Sequence, residues 1–403
     1  MATDNLAPIL TPEGWELLNS LGPYSEAESL RLSEQLRTAG HSPDVVSAAL
    51  TQSRLRAKAR AKFGPFAERM LFTTAGLEQA TRLKVAARHA QRFVDASLVR
   101  VADLGCGLGA DSMALATLDR KVTAVERDET TAAAATMNLL PWSNATVVNA
   151  DAESVDVAAY DGVWLDPARR STSSSGTTRI FDPEAFSPPL SFVEKLADGG
   201  TAVGVKMGPG MPHEAVPANC EAQWVSVDGD VTEVSLWFNA LRRPGVRRAA
   251  LVISAHGAAE LTSAGDFDGG PDAPIGPAEG YLYEPDGAVI RAALVADVAL
   301  ELGGHLLDPR IAYICAPTLL PTPFARAYRV IEVRPYHLKS LKAWVRAEGI
   351  GVLDIKKRGT AVTPEEVRRQ LLMGSGKGKK KATLVLTRIG EDRVAIVVEP
   401  VLP

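Results

Sequence analysis

The sequence predicts an α/β protein: a doubly wound, Rossmann-like parallel sheet with a helical region before it and a small α/β module after it. Three observations carry that expectation. Short β-branched runs alternate with helix-forming segments between residues 98 and 238, the pattern of parallel strands joined by crossover helices. The first two runs end on acids, Asp103 and Glu126, and the stretch between them opens with glycines at 105, 107 and 109. Positive charge collects from residue 324 onward, where 17 Lys and Arg stand against 8 Asp and Glu, a surplus of +9 in a chain whose net charge is −4. The remaining 323 residues therefore carry −13, and the tail reads as a separate basic unit.

The elements follow in order. Residues 1–75 read as a helical N-terminal domain. Thr11-Pro12-Glu13 supplies a cap and a first-turn proline, Ser25-x-x-Glu28 has the form of a capping box, and Ser42-Pro43 opens a third helix. That third helix carries Arg54, Arg56, Lys58, Arg60 and Lys62; charges two apart scatter over opposite sides, so only part of the set can face one nucleic acid. An RNA-gripping helix and a solvated cover both fit. Residues 76–240 form the doubly wound domain, with strands at 98–102, 122–125, 146–149, 160–165, 201–205 and 232–238, and helices near 111–118, 128–139 and 189–196. Residues 241–323 connect it to the tail through a Gly, Asp and Pro-rich loop at 263–280 and a helix at 285–302. Residues 324–403 read as strand 328–333, helix 337–348, strand 350–356, helix 364–373 and a hairpin turning at Gly390-Glu391-Asp392.

Ligands of such sheets sit at the carboxyl ends of the strands. The glycines let backbone approach a ligand, and Glu126, 23 residues after Asp103, suits the two hydroxyls of a ribose. Asp151 and Ala152 end the third strand, where a carboxylate can accept from an adenine amino group. Gly105, Gly107 and Ala110 also satisfy the dinucleotide fingerprint, so a nicotinamide or flavin site and a purely structural turn are alternatives. Asp103 tilts the reading: an anion there repels a pyrophosphate and suits the positively charged amino-acid end of S-adenosylmethionine (SAM).

On the residues DLGCGLGAD and VERDE, the stretch 76–240 resembles a class I SAM-dependent methyltransferase, and the whole chain resembles bacterial methyltransferases with a C-terminal THUMP-like domain. The resemblance implies that Asp103, Gly105, Gly107, Glu126 and Asp151 line SAM, and the glycine loop and the third strand's end add Gly109 and Ala152 to the expected cofactor site. Gly76-Leu77-Glu78-Gln79-Ala80-Thr81 looks like a segment that folds over the cofactor in nucleic-acid methyltransferases, which adds Gln79. Asp166-Pro167-Ala168-Arg169 stands where base-modifying members keep Asn, Asp or Ser, then Pro-Pro and an aromatic. A carboxylate and a backbone carbonyl there accept the two hydrogens of an attacking amino group, aligning its lone pair with the methyl. Asp166, Pro167 and Arg169 are the expected catalytic residues. The chain departs from the tetrad at Ala168 and Arg169; an arginine can stack on a base or hold a phosphate, which leaves the target atom open. Asp-Pro-x-Arg also resembles pyrimidine C5 methyltransferases, which need a nucleophilic cysteine; the following loop, Lys206-Met207-Gly208-Pro209-Gly210, has none, and Cys106 and Cys220 read as small packing residues. THUMP domains generally bind RNA, so RNA is the expected partner, with Lys356, Lys357 and Arg358 as its expected contacts and Lys377 to Lys381 as a second dense cluster.

Composition agrees with an intracellular enzyme. The chain is 46% hydrophobic, its three cysteines are far apart, and its six histidines form no ligand cluster, so neither a disulfide framework nor a metal is expected. No segment reads as a leader or a membrane span, and cytoplasm is the expected compartment. The sequence leaves open the oligomeric state, the RNA class and base, a small-molecule or protein acceptor, and a non-catalytic RNA-binding role.

Overall fold

A computed structural model describes residues 5–169, 182–373 and 378–401, with backbone alone at Arg169. The expected Arg169 side chain and Lys377 lie outside the described residues. The chain divides into two units: Met1–Met207, Glu214–Cys220 and Ser235–Arg243 form the first, and Gly208–His213, Glu221–Val234 and Pro244–Pro403 the second.

In the first unit, strands β1 (Arg100–Leu104), β2 (Lys121–Glu126), β3 (Ala145–Asn149), β4 (Gly162–Leu165) and β5 (Val203–Met207) run parallel in the order β5-β4-β1-β2-β3. The order reverses direction at β1, where the chain returns to the middle of the sheet, and a doubly wound sheet binds ligands at such a reversal. Helices α1 (Pro12–Ser20), α2 (Ser29–Thr38), α3 (Pro43–Phe63), α4 (Thr74–Gln79) and α5 (Leu83–Asp95) precede β1; α6 (Ala110–Thr117), α7 (Glu129–Leu139) and α8 (Leu190–Asp198) connect the strands. Thr11 and Ser42 cap α1 and α3 through Gly14 N–H at 3.1 Å and Val45 N–H at 3.3 Å. The Ser25 box does not form: Ser25 makes no side-chain cap, and Ser29 instead donates its hydroxyl to the Glu26 carbonyl, 2.9 Å away.

The first 75 residues do not form a core of their own. Leu17, Leu55, Phe63 and Phe72 share one apolar cluster with Leu108, Met113, Ala124 and Leu139 from the sheet region. Each such fully buried side chain contributes about 1.5–3 kcal/mol, so this cluster binds the helices into the sheet unit. β1 and β5 lie two residues later than expected at both ends, with turn residues before them, Ser97 (φ 59°) before β1 and Gly200 (φ 86°) before β5, whereas β4 starts two residues late but ends at Leu165 as expected. Consequently Asp103 falls inside β1, and Lys206 and Met207 fall inside β5 rather than in a loop.

In the second unit, β6 (Glu221–Val227) pairs in parallel with β7 (Arg248–Ser254), which forms a hairpin with β8 (Gly257–Ser263). A seven-stranded sheet follows, from β9 (Tyr281–Pro285), β10 (His305–Asp308), β11 (Ile311–Ala316), β12 (Ala325–Pro335), β13 (Ile350–Lys357), β14 (Lys380–Ile389) and β15 (Asp392–Pro400), in the order β10-β11-β9-β12-β15-β14-β13. The helix expected at 285–302 is two pieces, α9 (Gly287–Arg291) and α10 (Val295–Glu301), because Ala293 turns left-handed (φ 54°). The buried Arg248 guanidinium holds that break, donating to the carbonyls of Ala292 at 3.3 Å and of Ala293. The tail contributes β12, α11 (Leu338–Ala347), β13, α12 (Pro364–Leu372), β14 and β15, with Leu341, Val345, Val367 and Leu371 of the helices packed on Leu353, Leu384 and Leu386 of the strands.

Candidate active site

Strand order fixes the layout of the site. At the carboxyl edge of the sheet lie, in turn, Lys206 from β5, Asp166 after β4, the glycine loop after β1, Glu126 from β2 and Asp151 after β3, in steps of about 4.8 Å. A cavity of about 460 Å³ opens there, within the range of cofactor sites.

The glycine loop forms its floor. Gly105 and Cys106 N–H groups donate to the Val125 carbonyl at 2.8 and 3.0 Å, tying the loop to β2. Gly105 has φ 86°, and a Cβ on it would stand 2.9 Å from the Asp166 carbonyl oxygen. Only glycine satisfies both constraints. Glu126 accepts from Gly107 N–H (3.1 Å) with one oxygen and from Asp128 N–H (2.9 Å) with the other. A carboxylate has about four lone-pair sites, so acceptor capacity remains for two further hydroxyls. Asp151 caps the turn that follows it through Glu153 N–H at 2.9 Å, with Ala152 beside it on the wall.

Helix α4 and the turn after it make the opposite wall, with Gly76, Gln79, Ala80 and Thr81 facing the cavity. A short helix end leaves carbonyls unmatched, and two lysines match them here. Lys62 Nζ donates to the carbonyls of Leu77, Glu78 and Ala80 at 2.8, 2.7 and 2.8 Å. Burial, with Lys206 and Arg82 close by, lowers its amine to about 8. Lys206 reaches the Gln79 carbonyl (3.4 Å), the Thr81 hydroxyl (3.1 Å) and the Asp166 carboxylate.

The expected site residues are thus placed as follows. Gly105, Gly107, Glu126, Asp151, Ala152, Gln79 and Asp166 line one cavity. Pro167 is buried behind Asp166. Gly109 is not on the wall; its φ of 86° starts α6, and Leu139 packs 3.3 Å from where its Cβ would be. Asp103 is corrected. It is fully buried beneath the wall, accepts the Ser112 hydroxyl at 2.5 Å, and is pushed well above the usual carboxylate range by burial and by Asp111 nearby. Asp103 is not on the cavity wall, so it does not meet a ligand there directly.

Sequence reasoning gave no site role to Asp111, Lys62 or Lys206, and named Thr81 only as the end of the segment expected over the cofactor. Asp111 sits in the first turn of α6 and lines the cavity, and His89, far upstream, bonds it at 2.7 Å. An acid within the helix after a glycine loop was the available signal. The wall's acids, Glu126, Asp128, Asp151, Asp111 and Asp166, outnumber its cations and suit a cationic sulfonium cofactor better than a pyrophosphate. Cys106 lies on the wall, but burial pushes its thiol well above the ordinary value, away from a thiolate nucleophile; Cys220 is buried too. Among the described residues no His, Cys, Asp and Glu cluster has metal-site geometry, and no helix is long and apolar enough to cross a membrane.

In the second unit, Lys356 pairs with Glu284 at 2.8 Å and lies 5.5 Å from the Tyr328 ring centre; burial opposes its charge, and Glu284 outweighs burial and raises it. The Arg358 guanidinium covers the Tyr313 ring at 5.4 Å, and Lys357 is exposed.

Comparison with known proteins bears on the fold and the family. A family model described as THUMP domain-like matches residues 325–400, the span from the start of β12 to the end of β15, and a domain of unknown function matches residues 2–59. A solved chain from Porphyromonas gingivalis W83, provisionally assigned as a methyltransferase, shares the fold with a TM-score of 0.70 and 19% identity, over 94% of this chain and 100% of that one. An uncharacterised S-adenosylmethionine-dependent methyltransferase of Mycobacterium tuberculosis, present in strains CDC 1551 and H37Rv, is 32% identical over 350 residues, 83% of this chain and 91% of that protein. With the glycine loop, the acid at the end of β2 and the THUMP-like tail in one chain, this protein belongs to that family of SAM-dependent methyltransferases.

Proposed function

We propose that this methyltransferase modifies RNA, at an exocyclic amino nitrogen of a base. The observation that carries the reading is the position of Asp166: its carboxylate stands on the cavity wall, and its carbonyl touches the place where Gly105 has no Cβ. The cofactor loop and the expected acceptor-binding turn therefore meet at van der Waals distance. The basic surplus and the THUMP-like module support a nucleic-acid acceptor.

The residues divide the work. Glu126 would take the ribose hydroxyls, Asp151 and Ala152 the adenine edge, and Gly105 and Gly107 the close backbone approach. SAM, when bound, supplies an electrophilic methyl group. Asp166 would accept one hydrogen of the incoming amino group, and a backbone carbonyl at Asp166-Pro167 the other, so that the nitrogen lone pair is aimed rather than averaged. Lys206 fixes the Asp166 carboxylate to the α4 wall and limits its rotation. After transfer, the proton released from nitrogen has Asp166 as its nearest anionic acceptor in this arrangement.

The test is incubation with methyl-labelled SAM and separate RNA, DNA and protein fractions, followed by mass spectrometry of the labelled product. A labelled N-methyl nucleoside from RNA supports the reading. Label in protein or small molecules alone removes it.

A further inference from the structure

The acid best placed to meet the cofactor's amino-acid end is one that carries no assigned role. Asp111 lies in the first turn of α6, where an anion is favoured by the aligned peptide dipoles. Its side chain is largely buried yet forms part of the cavity wall. One carboxylate oxygen takes a 2.7 Å bond from His89 Nδ1; the Thr81 hydroxyl is a second partner. His89 is only 2% exposed. Its ring lies tilted by 31° against Trp164 with the ring centres 4.3 Å apart, and its Nε2 faces the Ser235 hydroxyl at 3.4 Å.

Two buried acids lie side by side here, and their surroundings drive them apart. Asp103 is raised by burial and by Asp111. Asp111 is opposed by burial, but His89, by charge and hydrogen bond, and Lys206 outweigh that and hold it below the usual range. The surroundings thus favour the proton on Asp103, beneath the floor, and the negative charge on Asp111, at the wall.

We propose that Asp111, held in place by His89, is the residue that binds the α-ammonium group of SAM and so distinguishes the intact cofactor from its adenosine fragment. The other wall acids are committed elsewhere. Glu126 and Asp128 lie at the end of β2, Asp151 lies after β3, and Asp166 is engaged by Lys206. Asp111 stands on the other side of the glycine loop, with Thr81 and Lys206. The assignment rests on the adenosine lying toward Glu126 and Asp151, as proposed above.

Titration calorimetry on the full chain tests this with three ligands: S-adenosylhomocysteine, its analogue lacking the α-amino group, and 5′-methylthioadenosine. Asp111→Asn should weaken S-adenosylhomocysteine by about 10- to 100-fold, the worth of one hydrogen bond to a charged group. Methylthioadenosine should stay within about twofold, as expected for an independent contact. Equal loss for both, or no loss for either, overturns the proposal. Should Asp111→Asn not fold, the unaltered protein still decides: it must bind S-adenosylhomocysteine about tenfold or more tighter than the analogue lacking the amino group, and equal affinities refute an ammonium site. Glu126→Ala tests the orientation separately. It should weaken methylthioadenosine and S-adenosylhomocysteine alike, and loss of only the latter would reverse the adenosine placement without touching the Asp111 measurement.

Discussion

Replacing Glu126 by alanine tests the cofactor site most directly. Both oxygens of the carboxylate already hold backbone N–H groups, those of Gly107 at 3.1 Å and Asp128 at 2.9 Å, so the side chain orders the loop and offers its remaining lone pairs to a ribose. Two charge-assisted bonds to hydroxyls are worth about 1.5–3 kcal/mol each against an unmatched site. Taking the lower end for both gives about 3 kcal/mol, or about a hundredfold in Kd. At a ligand concentration of a hundred times the wild-type Kd, linkage stabilises the wild type by about 2.7 kcal/mol and the variant by about 0.4 kcal/mol. At about 2–4 °C per kcal/mol for a unit of 150–250 residues, a melting shift of about 5–10 °C should shrink to about 1 °C. Differential scanning calorimetry with S-adenosylhomocysteine measures the shift, and titration calorimetry the affinity. Wild-type affinity in a variant that still melts cooperatively would refute the ribose role of Glu126.

Four other outcomes are expected. Gly105→Ala adds a Cβ 2.9 Å from the Asp166 carbonyl at a φ of 86°; it should cost about 1–3 kcal/mol in the free protein and abolish measurable cofactor binding, both read by calorimetry. Asp166→Ala should leave cofactor affinity within about tenfold and lower single-turnover methylation by about a hundredfold or more; collapsed binding with a surviving rate would move Asp166 into the cofactor site. Asp161 is held at about 2 by hydrogen bonds and charge from Arg100. Its folded value is depressed, so its contribution exists above the unfolded value and fades as pH falls through about 4 to 2. After solvent screening that is about 1 kcal/mol, and the stability gap between wild type and Asp161→Asn in urea melts should be full at pH 7 and largely lost by pH 2. Finally, Lys357→Ala should reduce the salt slope of RNA binding by up to about 0.7–0.9 if Lys357 contacts a phosphate, whereas Lys356→Ala should chiefly destabilise the sheet by leaving Glu284 without its 2.8 Å partner; filter binding and thermal melts separate the two.

The sequence made the local pattern legible where one run of residues carries the whole signal. The glycine loop with its flanking acids, the alternation of strand and helix, and the order of elements in the tail all depend on near neighbours. What stayed hidden depends on residues far apart in the chain. Lys206 meets Gln79 and Asp166, and Asp111 meets His89, across separations that no periodicity encodes. Asp103 shows the converse difficulty. Its place two residues before the first glycine suggested a ligand contact, but the strand starts two residues later than its apolar run does, and that shift puts the carboxyl in the core. Within β1 four consecutive residues, Val101 to Leu104, are buried, so both faces of this central strand are covered and any side chain inside it lies in the core. The break at Ala293 was equally silent, since the guanidinium that holds it comes from β7.

The clasp formed by Lys62 has an evolutionary reading. The three carbonyls it serves belong to the wall of the cavity, yet the amine arrives from α3, three residues past the end of the span matched by a domain of unknown function. A lineage cannot shed its first helices and keep this wall unless another cation takes over the same oxygens. The N-terminal helices should therefore pass between relatives together with the catalytic sheet. Among relatives the position of Lys62 should change only in step with the turn it holds, and swapping these helices between family members should succeed when that turn travels with them.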